Sequence, residues 1–520
     1  MAYILEIFIG VVFLILYLCY KYMTSEYLYW KKRNVPYIEP TFPYGNIKDQ
    51  VTNKTDIGRC FQSLYEQMPG EKYFGIFELG QPSLILKDLN LIKAVMVSDF
   101  YSFSDRGHIH EDVKKDYIAA LHLFNLKNEA WKRMRAKIVP TFTSGRMKLM
   151  YQLMHKCSQQ LDNYLEVTAN TNEVVDFKDL LSRFTSDAIS SCLFGLETNA
   201  VVEKESEVRK ISRLVFPTST WTMIKLMISI NHPHLYDLFG FEINHEKVKN
   251  FCMQVAKDTY DYRVKNNFYR DDFVDLLIKI KQNKNLYEDE KSTNNKESRQ
   301  SVGEDDGLTF EEMAAQIFVM FAAGFETSST TSSMALYEMV QQPEILSTAI
   351  QEIDQVLQKY DGNITYQALK EMVYLEQVIY ETLRLYPSLP LLTRKCTKPY
   401  KIPGSDLMIE KGTRVIIPSF AINRDPQHYP DPLKFDPDRF SPARSKERNT
   451  LNLQFGDGPM ACIGIRFGKM QVKCALATIL SKYEVSAVPE TPSHITLNPC
   501  QFLPTPMESI FLKVSRREDR

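Results

Sequence analysis

Tyr3 to Tyr20 is apolar except for Glu6, and as a helix it would span about 27 Å, close to the hydrocarbon thickness of a bilayer. A cleaved signal peptide would want a basic start and a small-residue cleavage site, and neither is seen. Tyr27, Tyr29 and Trp30 follow as an expected interfacial aromatic belt, then Lys31-Lys32-Arg33. With no Lys or Arg before the apolar run, the basic cluster is expected on the cytoplasmic side. Pro36, Pro40, Pro43 and Gly45 then suggest a stiff connector. The pattern therefore predicts an N-terminal transmembrane anchor over 1–22, a basic and Pro-rich linker over 23–45, and one large domain over 46–520.

Beyond Gly45 the periodicity is mostly helical. Lys281 to Gly307 is dense in Lys, Asn, Glu, Asp and Ser and reads as a mobile loop over 281–307. Thr309-Phe310-Glu311-Glu312 is a capping box, and the helix it opens meets no proline before Pro343. A helix of that length crosses a domain through its core. Lys72–Leu79, Ser83–Leu86 and Arg414–Pro418 alternate like strands. The fold class is mainly α with a small β-sheet part.

Composition narrows the class. The 63 basic and 64 acidic residues balance, so nucleic acid is not expected as a partner. Nine cysteines stand singly, as reduced thiols do in a cytosolic pool.

Three segments carry candidate chemistry. Phe455-Gly456-Asp457-Gly458-Pro459-Met460-Ala461-Cys462-Ile463-Gly464 places one cysteine in a glycine-rich turn running into a helix. Glycines 456, 458 and 464 would permit backbone shapes closed to other residues and close approach to a flat ligand. Nearby N–H groups and a helix N-terminus would stabilise a thiolate, which suits a cysteine that ligates iron. Within the long helix, Glu326-Thr327-Ser328-Ser329-Thr330-Thr331-Ser332-Ser333 interrupts an apolar run. Ser329 to Ser333 read as hydroxyls bonding back to their own carbonyls. Glu326 and Thr327 read as an acid and a hydroxyl relaying protons into a pocket, beside bulk removed at Ala323 and Gly324. Glu381 and Arg384 share a face on an apolar helix, which suggests a buried pair needing a third member, for which Arg439 is the candidate.

The cysteine loop, Ala323-Gly324-Phe325-Glu326-Thr327-Ser328, Glu381-x-x-Arg384 and Pro432 to Phe440 stand in this order, preceded by Trp131-Lys132-Arg133-Met134-Arg135. Together they resemble a microsomal cytochrome P450, most like the insect xenobiotic-metabolising members, from the anchor to about residue 510. The resemblance implies haem b as cofactor, with Cys462 the axial thiolate on its iron. It implies that Trp131, Arg135 and Arg394 hydrogen-bond the propionates, that Phe455, Gly458 and Gly464 shape the cofactor loop, and that Thr327 and Glu326 handle dioxygen and its protons. Glu381, Arg384 and Arg439 would form a structural network behind the haem. Three positions depart from the pattern: Met460 stands where the family usually has an arginine on a propionate, Ala461 replaces a frequent asparagine, and Asn423 a common histidine. Haem retention is what they put in question, and an arginine at 460 is expected to improve it.

The implied activity is a monooxygenase inserting one atom of O2 into a lipophilic small molecule. No dinucleotide or flavin fingerprint is present, so electrons from NADPH must arrive through NADPH–cytochrome P450 reductase, with cytochrome b5 a candidate second partner. Lys127, Lys132, Arg133 and Lys137, with Arg466, Lys469 and Lys473, are a candidate docking face. The resemblance places the chain in the endoplasmic reticulum membrane with its catalytic domain on the cytoplasmic face. It puts substrate contact near Phe100–Phe124, 210–240, Ala314–Ala323, Ser388–Leu391 and Cys500–Pro504, and Leu214 to Ile230 against the bilayer. Two rivals remain: a haem-thiolate protein that binds lipophiles or gases without turnover, and a reductase-independent enzyme that rearranges hydroperoxides.

Overall fold

A computed structural model of the chain describes residues 2–107, 116–171, 173–216, 219–270, 272–282, 307–447 and 451–517. The expected mobile loop falls almost wholly outside these residues. The long helix runs Phe310–Gln341, and its capping box forms as expected: Glu312 N–H donates to Thr309 Oγ1 at 3.1 Å and Thr309 N–H to Glu312 Oε2 at 2.8 Å. It packs against Phe177–Ile189, Glu246–Asn266 and Ile465–Lys482, threading the largest apolar core. Gly324 serves this packing and not a ligand. A Cβ there would sit 2.3 Å from Ile189 Cδ1, so its missing side chain lets two helices approach. Thr331, Ser332 and Ser333 hydroxyls donate to carbonyls three or four residues back, as the sequence suggested.

The β part is a sheet in the spatial order Tyr73–Glu78, Gln81–Leu86, Arg414–Ile417, Leu392–Lys395. The middle pair is parallel and the outer pairs antiparallel. Its register puts Arg394 opposite Val415. Smaller sheets pair Val174–Asp176, Phe511–Arg516 and Tyr483–Ala487, and Tyr400–Lys401 with Met408–Ile409.

The helix Ala2–Thr24 leaves its apolar span Tyr3–Thr24 unburied and is long and apolar enough to cross a membrane. The segment after this helix departs from expectation. Trp30 is no interfacial anchor: it is 1% exposed, and its Nε1 donates to the Ile76 carbonyl at 3.0 Å. The cause is Gly75, whose bare backbone leaves a slot on the sheet; a Cβ there would meet the indole at 2.3 Å. Filling the slot removes a large apolar surface from water. Arg33 pairs with Glu410, Tyr37 bridges to Gly75 and Gly45 to Glu78. The Pro-rich segment thus lies on the sheet and does not stand off as a spacer.

Candidate functional site

The cysteine loop is built by two glycines. Gly456 and Gly458 take φ of +69° and +68°, and a Cβ on Gly458 would lie 2.1 Å from the Met96 carbonyl oxygen. That combination admits no side chain. Asp457 Oδ1 accepts from Gly458 N–H at 2.7 Å, and Cys462 N–H donates to the Phe455 carbonyl at 2.8 Å, closing the turn. Gly464 differs from expectation. Its φ of −91° is ordinary and open space lies beside it, so neither backbone shape nor crowding explains it. Its contribution is an N–H aimed at Cys462, just before the helix Ile465–Lys482.

Cys462 faces a cavity shared with Thr327, Phe455, Met460, Arg106, Arg135 and Arg394. Its sulfur is open to that cavity but enclosed by protein. Burial pushes its pKa up, while the Gly464 N–H and the Arg135 and Arg106 guanidiniums pull it down. A metal ion bound to the sulfur would remove the proton outright.

The opposite requirement comes from the arginines. Arg135 Nη2 donates to the Ala461 carbonyl at 2.8 Å, and Arg106 Nη1 and Nη2 to the Phe124 and Met460 carbonyls at 3.0 and 3.3 Å. Arg394 is 4% exposed, and its Nη1 donates to the Thr393 carbonyl at 2.8 Å. Thr393 Oγ1 in turn donates to the Arg106 carbonyl at 2.9 Å, clipping two of the arginines together. Burial and the charges of Arg394 and Arg135 hold Arg106 down at about 9, and burial holds Arg394 at about 10. Among the described residues no carboxylate pairs with any of the three. Trp131 Nε1 and Arg394 Nε are buried without a partner. Three crowded guanidiniums and orphaned N–H groups beside a thiol are stable only with an anion among them. A flat ligand with two carboxylates and a metal that takes a thiolate answers the three arginines and the thiol, so these residues fit haem b, while Trp131 lies outside the lining of this cavity.

Arg106 lines the same cavity, and sequence reasoning missed it; a lone arginine in a loop gives no periodic signal. It also bears on the expectation for Met460. Met460 is 5% exposed in the main core, and the guanidinium that the position lacks arrives from Arg106 through the Met460 carbonyl. Ala461 serves Arg135 equally through its backbone.

Across the cavity from the cysteine loop, Thr327 Oγ1 donates to the Ala323 carbonyl at 2.5 Å. Thr327 also lines a second chamber, which Glu326 borders. Burial raises the Glu326 pKa, opposed by Lys178 and Arg209. A carboxyl held above its usual range is suited to passing protons. Phe124, Val319, Ala323, Thr327 and Leu389 line both spaces and join them. Every stretch expected at the substrate contributes lining residues: His122 and Phe124, Phe216 and Met223, Val319 and Ala323, Ser388 and Leu391, and Phe502 and Leu503. Residues 108–115 lie outside the described ones.

Behind the site Glu381 and Arg384 are fully buried. Arg384 Nε and Nη2 donate to Glu381 Oε2 and Oε1 at 2.7 and 2.8 Å, and Nη1 to the Asn423 and Pro432 carbonyls, each at 2.7 Å. Asn423 Nδ2 returns a hydrogen bond to the Arg384 carbonyl at 3.1 Å, while its Oδ1 is buried without a partner. Arg439 is the third member as an ion pair, 3.4 Å from Glu381 Oε1, without hydrogen-bond alignment at its Nε. The basic face is smaller than expected. Lys473 is 3% exposed, and Lys469 and Lys473 both bind Glu376, at 2.6 and 2.7 Å. Lys132, Arg133 and Arg466 remain exposed.

The family model for Cytochrome P450 matches residues 37–513. The chain is similar to Cytochrome P450 6k1 of Blattella germanica, 36% identical over 92% of this chain and 91% of the relative. It is likewise similar to Cytochrome P450 6a2 of Drosophila melanogaster, 38% identical over 94% and 95%, and to Cytochrome P450 6a9 of the same species, 36% identical over 97% and 98%. With a thiol facing an anion-seeking arginine cluster and this likeness along nearly its whole length, the chain belongs to the cytochrome P450 family, haem-dependent monooxygenases.

Proposed function

We propose that this protein is a membrane-bound monooxygenase of the insect xenobiotic-metabolising kind. It would oxidise lipophilic small molecules with electrons delivered from NADPH by a separate reductase. The carrying observation is that Cys462 and Thr327 line one cavity, while Glu326 borders the chamber that Thr327 shares with it. Haem, when bound, supplies iron whose thiolate ligand favours cleavage of the O–O bond. Arg106, Arg135 and Arg394 would hold its carboxylates and fix its plane. Thr327 Oγ1 would present a hydroxyl across the cavity from Cys462, and Glu326, its carboxyl raised above the usual range by burial, would resupply that hydroxyl with protons. The apolar wall excludes bulk water, so protons arrive by this route and not at random.

Two features support a membrane setting on the cytoplasmic face of the endoplasmic reticulum. One is the exposed span Tyr3–Thr24 with basic residues after it. The other is an apolar patch of Trp221, Leu238 and Phe239 around Phe241. Residues 25–520 should therefore still float with vesicles, and a truncated protein left wholly in solution would refute the patch's role. Lys132, Arg133 and Arg466 would meet an acidic reductase. Reconstitution tests the function: product should require NADPH and reductase together. Product from hydroperoxides alone would favour the rearranging enzyme, and ligand binding without any product would favour the carrier.

A further inference from the structure

The helix Thr220–Asn231 forms part of the chamber wall through Thr222, Met223 and Leu226. It ends at His232, where the next helix, Pro233–Leu238, begins. His232 N–H donates to the Ile228 carbonyl at 2.7 Å, and the His232 carbonyl accepts from Leu235 and Tyr236 N–H at 3.0 and 3.1 Å. One residue thus joins the two helices. The second helix leads to Leu238 and Phe239, the most exposed part of the apolar patch.

The His232 side chain is 5% exposed and engaged at both nitrogens. The Leu79 carbonyl, 2.7 Å from Nε2, can only accept, so Nε2 carries the proton. Burial lowers the pKa of the ring, against the Leu79 bond that raises it, and the imidazole is neutral at neutral pH. Its Nδ1 is therefore an acceptor, and the Tyr22 hydroxyl donates to it across 3.1 Å. Tyr22 belongs to the span long and apolar enough to cross a membrane. The two rings also touch, with centroids 5.4 Å apart. Beside them Gly80, at φ +88°, keeps the sheet turn bare, for a Cβ there would lie 2.5 Å from the Met23 carbonyl oxygen. The end of the anchor therefore rests on the turn itself. A tether needs only reach; a directed hydrogen bond from the membrane helix to the joint in the chamber wall fixes an orientation as well.

The tilt of a membrane helix follows the thickness of the bilayer around it. A change of tilt at Tyr22 acts on His232, and through it on both helices that His232 joins. We propose that the anchor is a working part of the substrate entrance: through Tyr22 and His232 it sets the position of this joint, so that bilayer thickness tunes how fast lipophiles reach the chamber. This rests on the membrane-bound reading above and adds a mechanical link between the anchor and the chamber wall.

The test uses the full-length haem-loaded protein in lipid discs of dimyristoleoyl and of dierucoyl phosphatidylcholine, a thin and a thick bilayer. The probe is clotrimazole, a lipophilic azole whose nitrogen binds haem iron and shifts the optical spectrum, and its association rate is followed by stopped flow. Partitioning of the azole into lipid is common to all variants, so each rate is divided by the wild-type rate in the same discs. For Tyr22→Phe, which keeps the ring and loses the hydroxyl, this ratio should differ about threefold between thin and thick discs, the weight of one hydrogen bond. His232→Phe should behave alike, and Tyr22→Phe, at an exposed position, decides the matter if His232→Phe fails to fold. Equal ratios in the two discs for Tyr22→Phe, in a protein that floats with vesicles, overturn this proposal alone. A full-length protein that does not float removes the membrane-bound reading and this proposal together.

Discussion

The cofactor cavity and the substrate chamber share one stretch of helix but are built on different principles. In and behind the cavity, charged groups are held by directed bonds to backbone elsewhere in the chain: Arg135 to Ala461, Arg106 to Met460 and Phe124, Arg384 to Asn423 and Pro432. In the chamber, apolar side chains from at least four separate segments meet by packing, and few hydrogen bonds cross between them. A fixed geometry needs particular residues at fixed spacing. A shape can be filled by many residue sets of similar volume. Substitutions in the two regions should therefore differ in kind: the first set should damage haem retention or folding, the second should change only which ligand binds.

The largest effect is expected behind the cavity. Arg384→Ala would leave Glu381 charged, buried and without its main partner, a loss of about 3–5 kcal/mol. Denaturant midpoints and the yield of haem-loaded protein check this. Retention of both would mean that the network is not supporting the site.

Next comes the arginine cluster. Arg106→Ala should speed haem transfer to an apo-acceptor by about ten- to a hundredfold, since a charge-assisted hydrogen bond contributes about 1.5–3 kcal/mol. Met460→Arg was expected from sequence to help. With Arg106 already in place and Met460 packed in the core, a fourth guanidinium is expected to speed haem loss. Slower loss in Met460→Arg would show that the three arginines leave a carboxylate unserved.

The contrast sharpens at Glu326 and Thr327, where the two regions meet. Thr327→Ala should leave haem and ligand binding intact and send most reducing equivalents to peroxide. The Glu326 carboxyl lies above its ordinary range. The coupled fraction should accordingly fall as pH rises through that raised value, while Glu326→Gln gives a flat profile. The linkage runs the same way for stability: the folded state holds this proton more tightly, so stability present at low pH is lost as pH rises. A pH-dependent Glu326→Gln profile would assign the titration to another group.

The smallest effect is at the surface. Lys132→Glu with Arg133→Glu should slow reductase association severalfold and weaken its salt dependence, because screened surface charges act mainly on encounter. Kinetics identical to wild type would place docking elsewhere.

These regions also differ in how legible they were. Cys462, Glu381–Arg384 and the capped long helix could be read because spacing alone expresses them. Arg106 could not, since only the fold brings it to the Met460 carbonyl. Trp30 and Gly324 were misread for a related reason: each answers to a partner distant in sequence, Gly75 and Ile189, and a local pattern carries no trace of such a partner. Lys473 looked like surface charge because Glu376, almost a hundred residues away, is what holds it inside. The chamber's regions were recognised by resemblance.

The account turns on Cys462 as the ligand of haem iron. The most direct test is the difference spectrum of the reduced protein with carbon monoxide, wild type against Cys462→Ser. A long-wavelength band in the wild type that disappears in the variant is the expected result. The same band in both would contradict the account at its centre.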